Sequence, residues 1–575
     1  MVPITTIEHE LLSHLRFIYG DERADAVLQL LKPVLSRYQN LPRPAHASPL
    51  NAHDSILITY ADQIYKEGEK PLNTLEAFLS NRLKGLFRGV HILPFFPFSS
   101  DDGFSIIDYR KVNPDFGSWR EIEVISSRFR LMVDAVINHI SRESEWFQRF
   151  LNDEKPYAHY FITVDAGTDL SSVVRPRDLP LLTSVETKSG TRQVWTTFSE
   201  DQIDLDFANP DVLVEVIDLL MFYIAHGAQL IRLDAVAFLW KEIGTSSIHH
   251  PRTHRIINLI RTIIDTFSPW VYIVTETNVP HEENISYFGN GWNEAQLVYQ
   301  FALPPLVLHT LLSGNARALT KWASSLQTPS PGTTFFNFLA SHDGIGLRPA
   351  RGILDPTEIQ ALVQQCEARG GGVSYRALSD GRRDPYELNI TYFDALAFNG
   401  EEDCNPTWIS RYLNSQAIML ALAGIPGIYF HSLLGSRNDH ASVERTGRLR
   451  SINRERLNAD MLEQELDAPG TRRARVFSGY ASLLRNRAEQ PAFDPNSRQQ
   501  ILDLGPDVFC LLRAAHNGDQ LLCLFEVAGK KHLRSISLST LPASSGKDIL
   551  SGESISLSEC SLEPYQVRWI KLPSP

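Results

Sequence analysis

Eight short apolar runs recur along the chain, at 55–62, 89–96, 131–139, 229–236, 271–278, 294–301, 335–343 and 425–432. Near-continuous apolar runs of this length are what parallel strands covered on both faces require. Amphipathic segments separate most of them, around 72–85, 117–130, 211–226, 254–268, 305–326 and 408–424. Strand and helix alternating eight times predict an α/β chain folded as a (β/α)8 TIM barrel. The rival architecture is an open, doubly wound sheet. No G-x-G-x-x-G follows the first run, which removes the usual support for a dinucleotide fold.

The polar residues are distributed as a barrel would place them. Most runs are apolar early and polar late: Tyr60-Ala61-Asp62, Asn138-His139, Arg232 with Asp234, Glu276, and His342-Asp343. His91 departs from this, near the start of its run. The C-terminal ends of barrel strands and the loops after them carry the active site in such enzymes.

The flanking segments define the remaining units. Residues 1–53 predict a helical N-terminal extension, with apolar residues at helical spacing from Ile7 to Leu35 and a Pro-rich link at Leu41-Pro42-Arg43-Pro44. The catalytic barrel would occupy 54–139 and 211–490, with a B domain inserted at 140–210 and a second insertion at 344–405 on the catalytic face. The second insertion contains Gly370-Gly371-Gly372, which suggests a mobile loop or a plain connector. Residues 491–575 hold short β runs at 500–504, 508–513, 520–527, 534–538 and 566–572, predicting a C-terminal β-sandwich domain.

Composition excludes several classes. The net charge of −12 and the lack of a basic stripe argue against nucleic acid as a partner. Cys366, Cys404, Cys510, Cys523 and Cys560 are odd in number and show no CxxC spacing, so neither a disulfide framework nor a zinc site is expected. The N-terminus lacks signal-peptide character. The longest apolar run, 417–430, is short for a membrane span and is broken by Gly424, Pro426 and Gly427. The expectation is a soluble, cytoplasmic protein with no membrane partner. The sequence leaves oligomeric state unassigned.

Three acids end separate runs: Asp234, Glu276 and Asp343. Glycoside chemistry uses such a set. One carboxylate attacks the anomeric carbon while a second protonates the leaving oxygen, the two lying about 5–5.5 Å apart in retaining enzymes. In a strand Arg232 and Asp234 share a face. They are either a structural ion pair or a nucleophile oriented by a guanidinium, and that stretch alone does not separate the two. Glu276 would need a raised pKa to hold and return a proton. Asp343 could stabilise an oxocarbenium-like transition state. His139 and His342 are candidates for hydroxyl binding or satisfied structural histidines.

The motifs Asp134-Ala135-Val136-Ile137-Asn138-His139, Arg232-Leu233-Asp234-Ala235, Thr275-Glu276-Thr277 and Ser341-His342-Asp343-Gly344 resemble, in order and approximate spacing, the four short motifs of the α-amylase superfamily, glycoside hydrolase family 13. The resemblance implies Asp234 as nucleophile, Glu276 as acid/base and Asp343 as transition-state stabiliser. Further stretches resemble the sucrose phosphorylase branch: 56–62, 90–96, Asp102-Gly103-Phe104, Arg175-Pro176-Arg177, 301–305, 342–346 and Gly435-Ser436-Arg437-Asn438-Asp439. That branch implies Asp62, His91 and Arg450 around the glucosyl unit, and Arg177 facing phosphate or acceptor. Two departures narrow the substrate. Ala237-Phe238 stand where general amylases carry Lys-His, which argues against a polymer. Thr277-Asn278-Val279-Pro280 stand where sucrose phosphorylases have a His. The loop through Tyr375, Arg376, Arg382 and Arg383, with the N-terminal extension, resembles the glucosylglycerate phosphorylases of the branch.

The implied function is a retaining phosphorylase that converts a small α-glucoside and inorganic phosphate to α-glucose 1-phosphate, with 2-O-α-glucosylglycerate favoured. Sucrose, sucrose 6-phosphate and glucosylglycerol are alternative substrates. An α-glucosidase or transglucosidase shares the first half-reaction, and a non-catalytic binding barrel is the alternative of another class. Guanidinium groups bind phosphate or carboxylate in a bidentate manner, so Arg177, Arg376, Arg382 and Arg383, with Tyr375, are the candidate phosphate and acceptor residues. An arginine in a polar loop is ordinarily solvated, which is the competing reading for each. No cofactor is expected. Asn138 occupies a motif position that some amylases use for calcium, but the branch generally lacks the ion, and no metal is expected.

Overall fold

The computed structural model describes residues 4–176, 179–377, 383–398, 404–534 and 544–573. Its centre is a closed barrel of eight parallel strands in chain order: β1 (Ile56–Thr59), β2 (Gly89–Ile92), β3 (Arg130–Ala135), β4 (Ala228–Leu233), β5 (Tyr272–Thr275), β6 (Leu297–Tyr299), β7 (Thr334–Asn337) and β8 (Ile425–Tyr429). All eight predicted runs hold one strand each. Every strand stops short of its run's polar end, because ladder hydrogen bonds persist only where neighbours overlap. Asp62, Asp234, Glu276 and Asp343 therefore stand on the loops just past β1, β4, β5 and β7, and His139 opens a short separate strand after β3. His91 and Arg232 remain within strands, and Arg232 is level with Asp134 on β3.

The predicted helices form with modest shifts. The 305–326 segment divides into Leu303–Ser313 and Arg317–Ser325, because Gly314 caps the first helix in the left-handed region (φ 64°). Two helices precede the barrel, Glu8–Tyr19 and Asp21–Arg37. Their apolar stripes, Leu11, Leu15 and Ile18 with Val27, Leu28, Leu31 and Leu35, join the main core. The first packs on the barrel helix Pro251–Phe267.

After β3 the chain builds a small three-stranded sheet (Thr163–Val164, Gly190–Trp195, Leu182–Thr187) and a strand pair, His139–Ser141 with Gln202–Asp204. After β7 it builds a second, with Arg383–Asn389 as the middle strand between Ile345–Gly346 and Gly372–Ala377. The Gly370–Gly372 run is a packed entry to this sheet, the form that the connector reading describes. Only Gly370 has a positive φ (76°), and a Cβ on Gly371 would stand 2.5 Å from the Cys366 sulfur.

The C-terminal region is a six-stranded antiparallel sheet with a separate two-stranded ribbon, His532–Arg534 with Cys560–Leu562. Alternation of period two divides its core. Phe509, Leu511, Cys523 and Trp569 face the barrel, while Val508, Cys510, Leu524 and Ile570 pack with Leu562 of the ribbon. Of the predicted run 534–538, residues beyond Arg534 lie outside the described residues. Among the described residues no helix is long and apolar enough to cross a membrane.

One ion pair ties the barrel floor to its lead-in: Arg130 Nε lies 2.8 Å from Asp54 Oδ1, and neither side chain is exposed. Asp54→Ala leaves that guanidinium buried and uncompensated. Chemical denaturation is expected to show a loss of about 3–5 kcal/mol; a change below about 1 kcal/mol would mean that water reaches Arg130.

Candidate active site

Burying a charge among apolar strands is costly unless partners satisfy it. At the C-terminal end of the barrel the partners are all present. Arg232 Nη1 donates to Asp134 Oδ1 (2.5 Å) and Asp234 Oδ1 (2.9 Å). Asp134 Oδ2 pairs with His91 Nε2 at 2.7 Å. Burial alone would raise the Asp134 pKa, but His91 and Arg232 bring it down to about 2. The Arg232 guanidinium also lies over the Tyr299 ring, 5.2 Å from its centroid. Its Nε, like His91 Nδ1, has no hydrogen-bond partner among the described residues.

Asp234 follows β4 directly and Glu276 follows β5. Ala235 between them is in the left-handed region (φ 47°, ψ 32°), a conformation uncommon for a residue with a side chain. That turn aims its N–H at Glu276 Oε2, 2.9 Å away. Burial pushes both Asp234 and Glu276 up against the pull of Arg232, and neighbouring carboxylates add to this, Glu276 acting on Asp234 and Asp343 on Glu276. Asp343 behaves oppositely. Burial would raise it, but Arg450, then His342 and Arg454, hold it well below the usual carboxylate range. Arg450 Nη1 is 2.5 Å from Asp343 Oδ1, while Arg450 Nε and Nη2 grip both oxygens of Glu387 at 2.9 and 2.6 Å. Arg454 donates to the His342 carbonyl (2.8 Å) and to Asp102 (2.5 Å).

A narrow well of about 70 Å³ is lined by Asp234, Glu276, Asp343, His139, His342, Phe104, Phe198 and Asn278, among others. Asp101, Gln202, Tyr386 and Arg450 also border a wider cleft of about 390 Å³ that opens above it, lined further by Tyr375, Glu387, Arg448 and Arg454. His342 stacks on Phe104 (4.5 Å, 7°), and burial lowers its pKa to about 3, so it faces the well neutral. His139 Nε2 contacts the Phe104 carbonyl (2.9 Å) and Gln202 (3.2 Å), and burial lowers its pKa as well. Phe198, edge-on to Phe238 at 5.6 Å, gives the well an apolar side.

The remaining sequence candidates separate into groups. Asp62 pairs with Arg456 (2.9 Å) beside Tyr60, off the lining of the well. His91 and Arg232 lie behind the lining. Tyr375 borders the outer cleft, with the exposed Arg383 over its ring at 5.0 Å. Arg376 is turned onto Asp384 (2.9 Å), which Arg351 also contacts. Arg177 and Arg382 lie outside the described residues. Sequence reasoning gave no role to Asp134, Arg454, Glu387, Tyr386 or Gln202. For Asp134 the signal was present: one acid inside the apolar run 131–139. For the others, Gln202, Tyr386 and Glu387 on inserted segments and Arg454 on the segment after β8, only tertiary placement gives a role.

Asn138 points elsewhere. Lys241 Nζ sits 2.6 Å from Asn138 Oδ1 and 2.6 Å from Asp204 Oδ2, with the lysine side chain 2% exposed. An ammonium group thus fills the space between the oxygens at which a divalent cation would need to bind. Among the described residues no cluster of three His, Cys, Asp or Glu could hold a metal. A chelator is expected to leave the thermal midpoint unchanged. Lys241→Met should cost about 3 kcal/mol in denaturation by stranding the Asp204 carboxylate; a midpoint that falls on adding chelator would contradict this arrangement.

A profile of the family described as "Alpha amylase, catalytic domain" matches residues 83–344. The chain is 49% identical over 565 residues to the glucosylglycerate phosphorylase of Allomeiothermus silvanus, covering 98% of each chain. It is 51% identical over 526 residues to that of Spirochaeta thermophila, covering 90% of this chain and 88% of the other. Among solved structures, sucrose 6F-phosphate phosphorylase from Thermoanaerobacter thermosaccharolyticum superposes with a TM-score of 0.74 at 26% identity, over 90% of this chain and 100% of that one.

Proposed function

This chain belongs to the α-amylase superfamily, in its sucrose phosphorylase-like branch, and on that premise we propose that it is a retaining glucosylglycerate phosphorylase. It takes 2-O-α-glucosylglycerate and inorganic phosphate to α-glucose 1-phosphate and glycerate. The observation that carries the reading is the shape of the site: a well closed by three carboxylates, opening to a cleft bordered by Arg448, Arg450 and Arg454. The three carboxylates would meet the reacting end of one glucosyl unit, and Arg448, Arg450 and Arg454 on the cleft wall are the guanidinium groups that would meet an acidic acceptor and phosphate in turn.

Asp234 acts as nucleophile. Its direct hydrogen bond from Arg232 makes it the ionised member of the pair, and the shared proton falls to Glu276. Glu276 passes that proton to the leaving glycerate oxygen as Asp234 closes on the anomeric carbon, giving a β-glucosyl ester. Glu276, now a carboxylate, accepts a proton from the incoming phosphate, whose oxygen attacks from the vacated face. Two inversions restore the α configuration. Asp343, held anionic, stabilises the oxocarbenium-like charge and receives sugar hydroxyls, and neutral His139 and His342 donate to or accept from the same hydroxyls. Phe198 and Phe238 close the side on which a longer glucan would need polar contacts. A charged sugar phosphate does not diffuse through a membrane, which suits a cytoplasmic enzyme, the location we propose.

Enzyme mixed with α-glucose 1-phosphate should release phosphate rapidly with glycerate and far more slowly with fructose, fructose 6-phosphate or glycerol. No release with any acceptor, together with glucose release from simple α-glucosides in phosphate-free buffer, would replace this reading with a hydrolase.

Glu276→Gln should lower kcat by about 10²–10⁴-fold on the glucoside, and far less on α-glucosyl fluoride, which needs no protonation. Equal losses on both donors would remove Glu276 as the acid. Because one proton serves the Asp234–Glu276 pair, kcat/KM should fall on both sides of its optimum: at low pH when a second proton arrives, at high pH when the shared one leaves.

A further inference from the structure

Glu387 has no part in the mechanism above, yet it is 1% exposed and centrally seated. It lies in the middle strand of the small sheet after β7, opposite Gly346 on one side and Ser374 on the other. Both of its carboxylate oxygens are taken by Arg450, leaving Arg450 Nη1 for Asp343. Its stem packs on the backbone beside Asp343: a Cβ added to Gly344 would stand 2.5 Å from Glu387 Cγ. The contact from Arg450 to Asp343 Oδ1 is an ion pair that is not aligned as a hydrogen bond, so that buried oxygen is satisfied by charge alone.

We propose that Glu387 is a positioning residue for glucosyl transfer, holding the Arg450 guanidinium in one orientation and cancelling its charge, so that Asp343 presents a net negative charge to the reacting carbon. The reasoning is electrostatic. Asp343 and Arg450 alone sum to zero, which gives little stabilisation to a developing cation. With Glu387 the three groups sum to −1, beside the carbon that becomes positive. Fixed charges in a site shielded from water act strongly on a transition state. The bidentate fork also fixes the guanidinium plane in a way that a single contact does not. Because the second insertion supplies Glu387, the segment that borders the acceptor cleft also sets the field at the glucosyl carbon.

This inference rests on the glucosyl-transfer half of the proposed function and not on the acceptor. Its test therefore uses fluoride release from α-glucosyl fluoride, whose kcat/KM reports the first half-reaction whatever the acceptor. Glu387→Gln keeps the shape and removes the charge; Glu387→Ala removes both. The expected result is a fall in kcat/KM for fluoride release of about 10-fold or more for Gln and about 10²-fold for Ala, with KM for the fluoride changed less than about threefold and the thermal midpoint of the Gln variant nearly unmoved. In an Arg450→Met background the Glu387→Gln change should add little, since the two act as a unit.

Unchanged fluoride release in both variants, or a rise confined to the KM for glycerate, would overturn the proposal and leave Glu387 as scaffold or acceptor contact. Losses that simply add in the double variant would also overturn it. A wild-type protein that releases no fluoride would remove the glucosyl-transfer reading, and this inference with it.

Discussion

The buried guanidinium of Arg232 is the constraint around which the barrel is arranged. Taking a cation out of water costs several kcal/mol unless its partners are close and well aligned. Asp134 on the neighbouring strand and Asp234 at the strand end supply them at 2.5 and 2.9 Å. Asp134 is in turn held by His91 from the strand beyond. Three adjacent strands, β2, β3 and β4, are thereby registered by a chain of charge contacts as well as by the ladder. The same contact that satisfies Arg232 orients the carboxylate of Asp234. The ion-pair and active-site readings of that stretch are therefore compatible: the pair does structural work and leaves one carboxylate oxygen facing the well.

A second set of charges is assembled from outside the barrel. Asp343 comes from the loop after β7, Glu387 from the inserted sheet, Arg450 and Arg454 from the segment after β8, and Asp102 from the loop after β2. None of these groups is fully matched by a neighbour in sequence. Their pairing depends on the loops closing over one end of the barrel, and it sets the sign of the field at the rim of the well. Lys241 does comparable work at the base of the B domain, where its ammonium joins Asn138 to Asp204.

The fold was legible because burial on both faces leaves a direct trace: eight apolar runs, each of which contains one strand. Strand ends were less legible. An apolar residue in a loop packed against the barrel reads the same as one in the ladder, so the runs extend past Thr59, Ala135 and Asn337. Asp234, Glu276 and Asp343 were legible because acids at the ends of apolar runs are costly without a use. Glu387 sits among Tyr386, Leu388 and Asn389 in a segment whose polarity resembles that of any surface hairpin. Only its burial against Gly344 and Arg450 sets it apart. The glycines at 370–372 carry two readings in sequence, since close packing against Cys366 and Ile390 requires the absence of a side chain just as flexibility would.

What the sequence determined by itself was the periodicity and the chemistry at its interruptions: a parallel barrel, three carboxylates at strand ends, and a guanidinium two residues before one of them. These follow from local patterns, because side-chain period and burial are properties of neighbours in the chain. What only the tertiary structure decided was which charges cancel. Arg376 goes to Asp384, Arg456 to Asp62, Arg454 to Asp102, and Arg450 to both Asp343 and Glu387. Coulombic partners are chosen by distance in space across loops of unrelated sequence position. The residues alone state how many charges there are, and the fold states which of them remain to meet a ligand.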